Sequence, residues 1–143
     1  MRAILVVLVL ACTLVAGARA QVPPLVAAAT VLEKSAAESL AKAHAFFEDA
    51  NDTQAAWVLV REVATFRAQS HTLIVLVTPP NAHLDVARKT LVSLQTLSLK
   101  VQKLLEDPNA GPEDQILAVL AAWTKTRTEL AKVVAAMPAP THP

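Results

Sequence analysis

The sequence predicts an all-α protein, an up-down-up-down four-helix bundle, with an elongated or partly open helical bundle as the alternative arrangement. Three observations lead there. The stretch from Leu84 to Leu105 places Leu84, Ala87, Leu91, Leu94, Leu97, Val101, Leu104 and Leu105 at gaps of one, three and four residues, a single apolar stripe on a helix. All nine prolines sit in four places, at Pro23-Pro24, Pro79-Pro80, Pro108 with Pro112, and Pro138, Pro140 and Pro143, and Gly111 is the only glycine beyond Gly17. Proline costs about 3 kcal/mol inside a helix and glycine about 1 kcal/mol, so the intervening segments are free to be long helices. Those segments are rich in alanine, leucine, lysine and glutamate, which favour them.

The first twenty residues are expected to be a cleaved secretory signal peptide (1–20). Arg2 supplies a positive start, Ile4 to Val15 is a nearly unbroken apolar run, and Ala18-Arg19-Ala20 offers small residues before Gln21. The run is short for a membrane anchor, which needs about 20 apolar residues. Val9-Leu10-Ala11-Cys12 loosely resembles a lipobox, but the apolar run continues past Cys12 and Leu10 is atypical there. The expected location is outside the cell, or in the periplasm if the source is bacterial.

Removal of Arg2 and Arg19 leaves eleven basic residues against twelve acidic ones, so the formal charge passes from +1 to −1. No basic stripe favours nucleic acid. The same removal takes away the one cysteine, so the remaining chain must hold together by packing alone. A domain of this size buries roughly two-thirds of its unfolded surface, which suffices.

The helical domain is expected over 21–137. Its first helix is predicted over about 25–49, with Leu25, Ala28, Leu32, Ala36, Leu40, Ala43 and Phe47 as its stripe and Glu38 and Lys42 as an i,i+4 pair. A single helix from Leu25 to Val77 would be roughly 80 Å long. Ala50-Asn51-Asp52-Thr53 is the turn-prone break, with Asp52 or Thr53 as the next N-cap. The second helix, about 54–77, shows Ala56, Trp57, Val60, Val63, Ala64, Ser70, Ile74 and Val77 on a broad face. Its end, Leu73 to Val77, has strand-like composition but no partner strand, and is read as helix. Thr78-Pro79-Pro80-Asn81 is the second turn, with Thr78 as cap and Pro79 in the first helical position, and the third helix is expected over about 80–106. Asp107 to Pro112 ends it. The fourth helix, about 112–137, opens with Glu113 and Asp114, which suit the positive end of its dipole. Its stripe is Ile116, Leu117, Leu120, Trp123, Thr124, Leu130, Ala131, Val134 and Met137. Residues 138–143 read as a disordered tail.

The motifs of common site chemistries are missing. His44, His71, His83 and His142 have no Glu-x-x-His partner of the kind that aims metal ligands into a bundle, so no metal is expected. There is no Cys-x-x-Cys-His for haem, no Gly-x-Ser-x-Gly, and no glycine-rich phosphate loop. Acidic pairs at Glu48-Asp49, Glu106-Asp107 and Glu113-Asp114 fall at helix ends and read as caps. No catalytic residue and no cofactor is assigned, and the expectation is a protein that is not an enzyme. Asn51-Asp52-Thr53 matches the N-glycosylation sequon and marks Asn51 as a candidate glycan site. Trp57 and Trp123 fall at core positions.

The remaining signal is amphipathicity. Leu73, Ile74, Val75, Leu76 and Val77 are apolar all round, Val92 and Leu99 flank the third stripe, and Val119 widens the fourth. These residues are the candidate apolar contact surface, fit for an apolar small molecule, a lipid or a hydrophobic surface. The alternative partner is another protein, as for a secreted effector or an assembly subunit. In helix count, export and low aromatic content alone, the architecture is similar to that of secreted helical lipid carriers and hydrophobic-surface-binding proteins, and no residue role follows from that likeness.

Overall fold

In the computed structural model, residues 22–50, 53–107 and 110–140 are described. They form four helices and no strand: α1 (Val22–Asp49), α2 (Gln54–Val77), α3 (Leu84–Glu106) and α4 (Glu113–Ala136). The expected signal segment, Cys12, Asn51 and His142 lie outside the described residues. None of the four helices is long and apolar enough to cross a membrane.

The buried positions explain why the helices pack. In α1 they include Leu25, Ala29, Leu32, Ala36, Ser39, Ala43 and Phe46; in α2, Ala56, Leu59, Val63, Phe66, Ser70, Leu73 and Val77. In α3 they are Ala87, Leu91, Leu94, Ser98, Val101 and Leu105, and in α4, Ile116, Val119, Trp123, Thr126, Leu130 and Val133. Each set steps by alternating threes and fours, the 3.5-residue repeat that lets neighbouring helices interlock side chains along their length. One hydroxyl interrupts each row: Ser39, Ser70, Ser98 and Thr126.

These rows correct several expected faces. Phe46, not Phe47, is the core aromatic of α1, and Leu117 and Val134 of α4 are exposed. Trp57 is also misplaced by the sequence reading: it is 49% exposed, with the Arg61 guanidinium 5.0 Å over its ring. It falls just outside the Ala56–Leu59 row, where an indole retains partial hydration and gains a cation. Trp123 is fully buried and meets Phe66 edge to face at 5.0 Å, bridging α4 and α2.

Local chemistry sets the helix ends. Pro23 and Pro24 fit the first turn of α1, where backbone N–H groups have no helical acceptor in any case. Thr53 caps α2 by accepting from Ala56 N–H at 3.3 Å. The expected start of the third helix is corrected. Thr78 ends α2 in an extended conformation, as a residue before proline prefers, and its hydroxyl turns back to the Ile74 carbonyl. The chain then needs Pro79 to His83 to reverse, His83 N–H closing on the Leu76 carbonyl at 2.7 Å, and α3 opens at Leu84. Just after the C-terminus of α4, the Pro138 carbonyl accepts from Arg88 at 3.0 Å and the Ala139 carbonyl accepts from it at 3.3 Å.

The four helices surround one core. α1 packs broadly against α2 and α4, and α2 against α3, whereas α3 and α4 meet over a much smaller contact. Side-chain size is in keeping with this: α1 buries several alanines and serines, which let its neighbours approach closely, while the facing rows of α3 and α4 bury larger residues such as Leu91, Leu94, Trp123 and Leu130. Ion pairs follow the same division. Glu33–Arg67 at 3.2 Å joins α1 to α2, Glu38–Lys125 at 3.1 Å joins α1 to α4, and Glu62–Lys100 at 2.9 Å joins α2 to α3. No side-chain ion pair joins α3 to α4 among the described residues.

Candidate functional site

The thin α3–α4 contact leaves a groove of about 270 Å³, lined by Gln95, Ser98, Leu99, Arg127, Leu130, Ala131 and Val134. Ser98 and Leu130 belong to the buried rows, while Leu99 and Val134 are exposed at its edge. The positions follow from the helical repeat. Beside the core row of α3 runs a second row, Val92, Gln95, Leu99 and Gln102, stepping by threes and fours. On α4 the matching outer row is Leu120, Thr124, Arg127, Ala131 and Val134. In a tightly closed seam these rows would interdigitate; here they flank an opening.

The groove is mostly apolar, with three hydrogen-bonding side chains, Gln95, Ser98 and Arg127. Arg127 supplies the one charge in the lining, and no carboxylate accompanies it. It forms no hydrogen bond or ion pair among the described residues. This is the combination expected of a ligand pocket: apolar walls and a few polar groups that fix orientation.

The residues expected to form an apolar contact surface divide into two groups. Leu73, Val77 and Val119 are fully buried, which corrects their assignment: they fill heptad positions in α2 and α4. Ile74 and Leu76 are half-buried against that core. Val75 is 62% exposed, but its two neighbours turn inward, so it stands apart. Val92 and Leu99 are 62% and 58% exposed and occupy one row of α3, and Leu99 lines the groove. Of the expected contact residues, Leu99 lines the groove; Ala131 and Val134, expected on the core stripe of the fourth helix, line it from α4 together with Arg127. The available signal was a lone arginine between Thr124 and Ala131 in an otherwise uncharged row.

Two other depressions are less suited to an apolar ligand. One between α1 and α2 holds Glu33, Arg67 and His71 beside Leu40, Ala64 and Ala68, and its acid and arginine already satisfy each other. The second lies where the α1–α2 and α3–α4 turns come together, around Ala50, Thr53, Ala110 and Gly111.

Glu62 is the one buried acid among the described residues, and its surroundings explain why it can be there. Lys100 Nζ and Arg61 NH2 both stand 2.9 Å from its Oε1. The Lys100 hydrogen bond is the main reason that its carboxyl is held below the usual glutamate range; burial opposes this and Arg61 adds to it. Both cations remain half in solvent, and the cluster fastens α2 to α3. No group of three or more histidine, cysteine, aspartate or glutamate side chains converges to hold a metal among the described residues, and His44, His71 and His83 are exposed.

An all-α, four-helix protein with one loosely closed, apolar seam is the class that fold and site define. Comparison with protein-family models, with curated proteins and with solved structures finds no match.

Proposed function

We propose that this protein is an exported, non-enzymatic four-helix bundle that binds an apolar ligand in the groove between α3 and α4. The observation that carries the reading is the groove itself: Leu99, Leu130, Ala131 and Val134 give an apolar lining where the bundle is least tightly closed. At about 270 Å³ it is near the lower end of ligand pockets, so the ligand is slim. Export is supported by the apolar run Ile4–Val15 followed by Ala18-Arg19-Ala20.

The up-down-up-down course belongs to this proposal. It is supported by contacts that pair opposite ends of successive helices. Arg88, in the first turns of α3, reaches Pro138 just beyond α4, and the α1–α2 and α3–α4 turns share one end of the bundle. That course puts the two walls of the groove on adjacent antiparallel helices, which can separate slightly without breaking the chain.

A neutral fluorescent probe, N-phenyl-1-naphthylamine, tests the reading. Saturable binding to the folded protein, weakened by Leu99→Gln, is the expected result. No saturable binding up to high micromolar concentrations removes the proposal.

A further inference from the structure

We infer that the ligand of the α3–α4 groove is a single-chain anionic amphiphile, a fatty carboxylate whose head group pairs with Arg127. This rests on the reading of that groove as an apolar ligand site. Arg127 is a charge without a partner among the described residues. The arginines Arg61, Arg67 and Arg88 each pair with a carboxylate, Glu62, Glu33 and Asp85 respectively. Arg127 lines an apolar groove and pairs with nothing among the described residues. A guanidinium presents a planar fork of donors that matches a carboxylate, and in this groove Ser98 and Gln95 supply further donors beside it.

Size and layout select the rest of the ligand. Val134 follows Arg127 by seven residues, about 10 Å along α4, with Ala131 between them. A head group at Arg127 therefore places an alkyl chain along Ala131 and Val134, with Leu99 on the facing helix. The lining on α4 is thus about two helical turns long, and a single extended alkyl chain can lie along it.

The test compares dodecanoate with dodecanol, both below the concentrations at which they aggregate, as competitors of the neutral probe. The proteins are the native chain, Arg127→Gln and Arg127→Lys. Arg127 is exposed and unpaired, so neither change disturbs the core, and circular dichroism checks that both variants fold. The expected result is that Arg127→Gln weakens dodecanoate roughly fivefold, in keeping with a partly solvated ion pair, while Arg127→Lys retains most of the affinity. Dodecanol binding changes much less than dodecanoate binding across the three. Dodecanoate binding that is unchanged in Arg127→Gln overturns this inference and leaves the apolar groove standing. Absence of binding by probe, dodecanol and dodecanoate alike overturns the groove reading as well. Binding only to anionic phosphatidylglycerol vesicles, without capture of the monomeric acid, also overturns the inference, because the bundle then meets a membrane surface.

Discussion

Thr126 Oγ1 of α4 lies 2.8 Å from Ser39 Oγ of α1, in the buried core. Ser35 Oγ approaches the same oxygen at 2.9 Å, and Thr126 can donate in turn to the Ala122 carbonyl at 3.2 Å. With that donation made, both serines donate to the threonine oxygen, and the three buried hydroxyls are mutually satisfied. Polar contacts inside an apolar seam fix register, because sliding α1 against α4 would leave each hydroxyl unpaired.

Thr126→Val, which keeps the shape, is therefore expected to destabilise the fold by about 1–3 kcal/mol, since it strands two buried serine hydroxyls. Combining it with Ser35→Ala and Ser39→Ala should recover part of the loss. Urea unfolding of the single and triple variants measures both effects.

Glu62 gives the bundle an acid-sensitive fastening. Its folded-state carboxyl is held below its ordinary value of 4.5, so the folded protein binds that proton more weakly than the unfolded chain. The resulting stability is fully present above the ordinary value and is lost as pH falls through the folded one. Glu62→Gln should cost about 1–2 kcal/mol at neutral pH, a figure kept modest because both cations are half solvated. The gap between native and variant stability should shrink as the pH is lowered below the ordinary glutamate value of 4.5.

Gly111 lies against the ring of Phe46. A Cβ at this glycine would stand 2.7 Å from Phe46 Cε2 and Cζ, and that ring is itself buried. Gly111→Ala should destabilise by about 1–3 kcal/mol through overpacking. The double variant with Phe46→Leu should lose less than the two single losses added together, which a double-mutant cycle in urea would measure.

The two tryptophans should report separately. In Trp57→Phe the remaining indole is Trp123, which is fully buried, so its emission should be blue-shifted and resist acrylamide. In Trp123→Phe the remaining Trp57 should be readily quenched. The stability costs should differ as well: Trp57→Ala, which removes an exposed stack on Arg61, about 1 kcal/mol or less, and Trp123→Ala about 3–5 kcal/mol.

The element pattern was legible in the sequence because proline and glycine are confined to the turns and nothing interrupts the segments between them. The break near Thr53 followed from length alone, and the cap it needed was in place. The faces were less legible. A rule that counts apolar residues passes over Ser39, Ser98 and Thr126, which occupy heptad positions, and so it draws the stripes of α1 and α4 toward Phe47 and Leu117. The tandem prolines after Thr78 also delay α3 by several residues, because a residue that precedes proline is kept out of helical backbone and residues 78–81 bend instead. Val92 and Leu99 could be seen as surplus to their stripe. That Leu99 shares a groove with Ala131, Val134 and Arg127 depends on which helices press together most closely, and periodicity within a single helix does not encode that.

The claim on which the functional account depends is that the α3–α4 seam, rather than another face of the bundle, receives an apolar molecule. Amide chemical-shift mapping of the isotope-labelled protein during titration with dodecanol tests it most directly. The account predicts saturable shifts centred on residues 95–99 and 127–134, with α1 nearly silent. Shifts spread over α1 and α2, or none at saturating ligand, would contradict it.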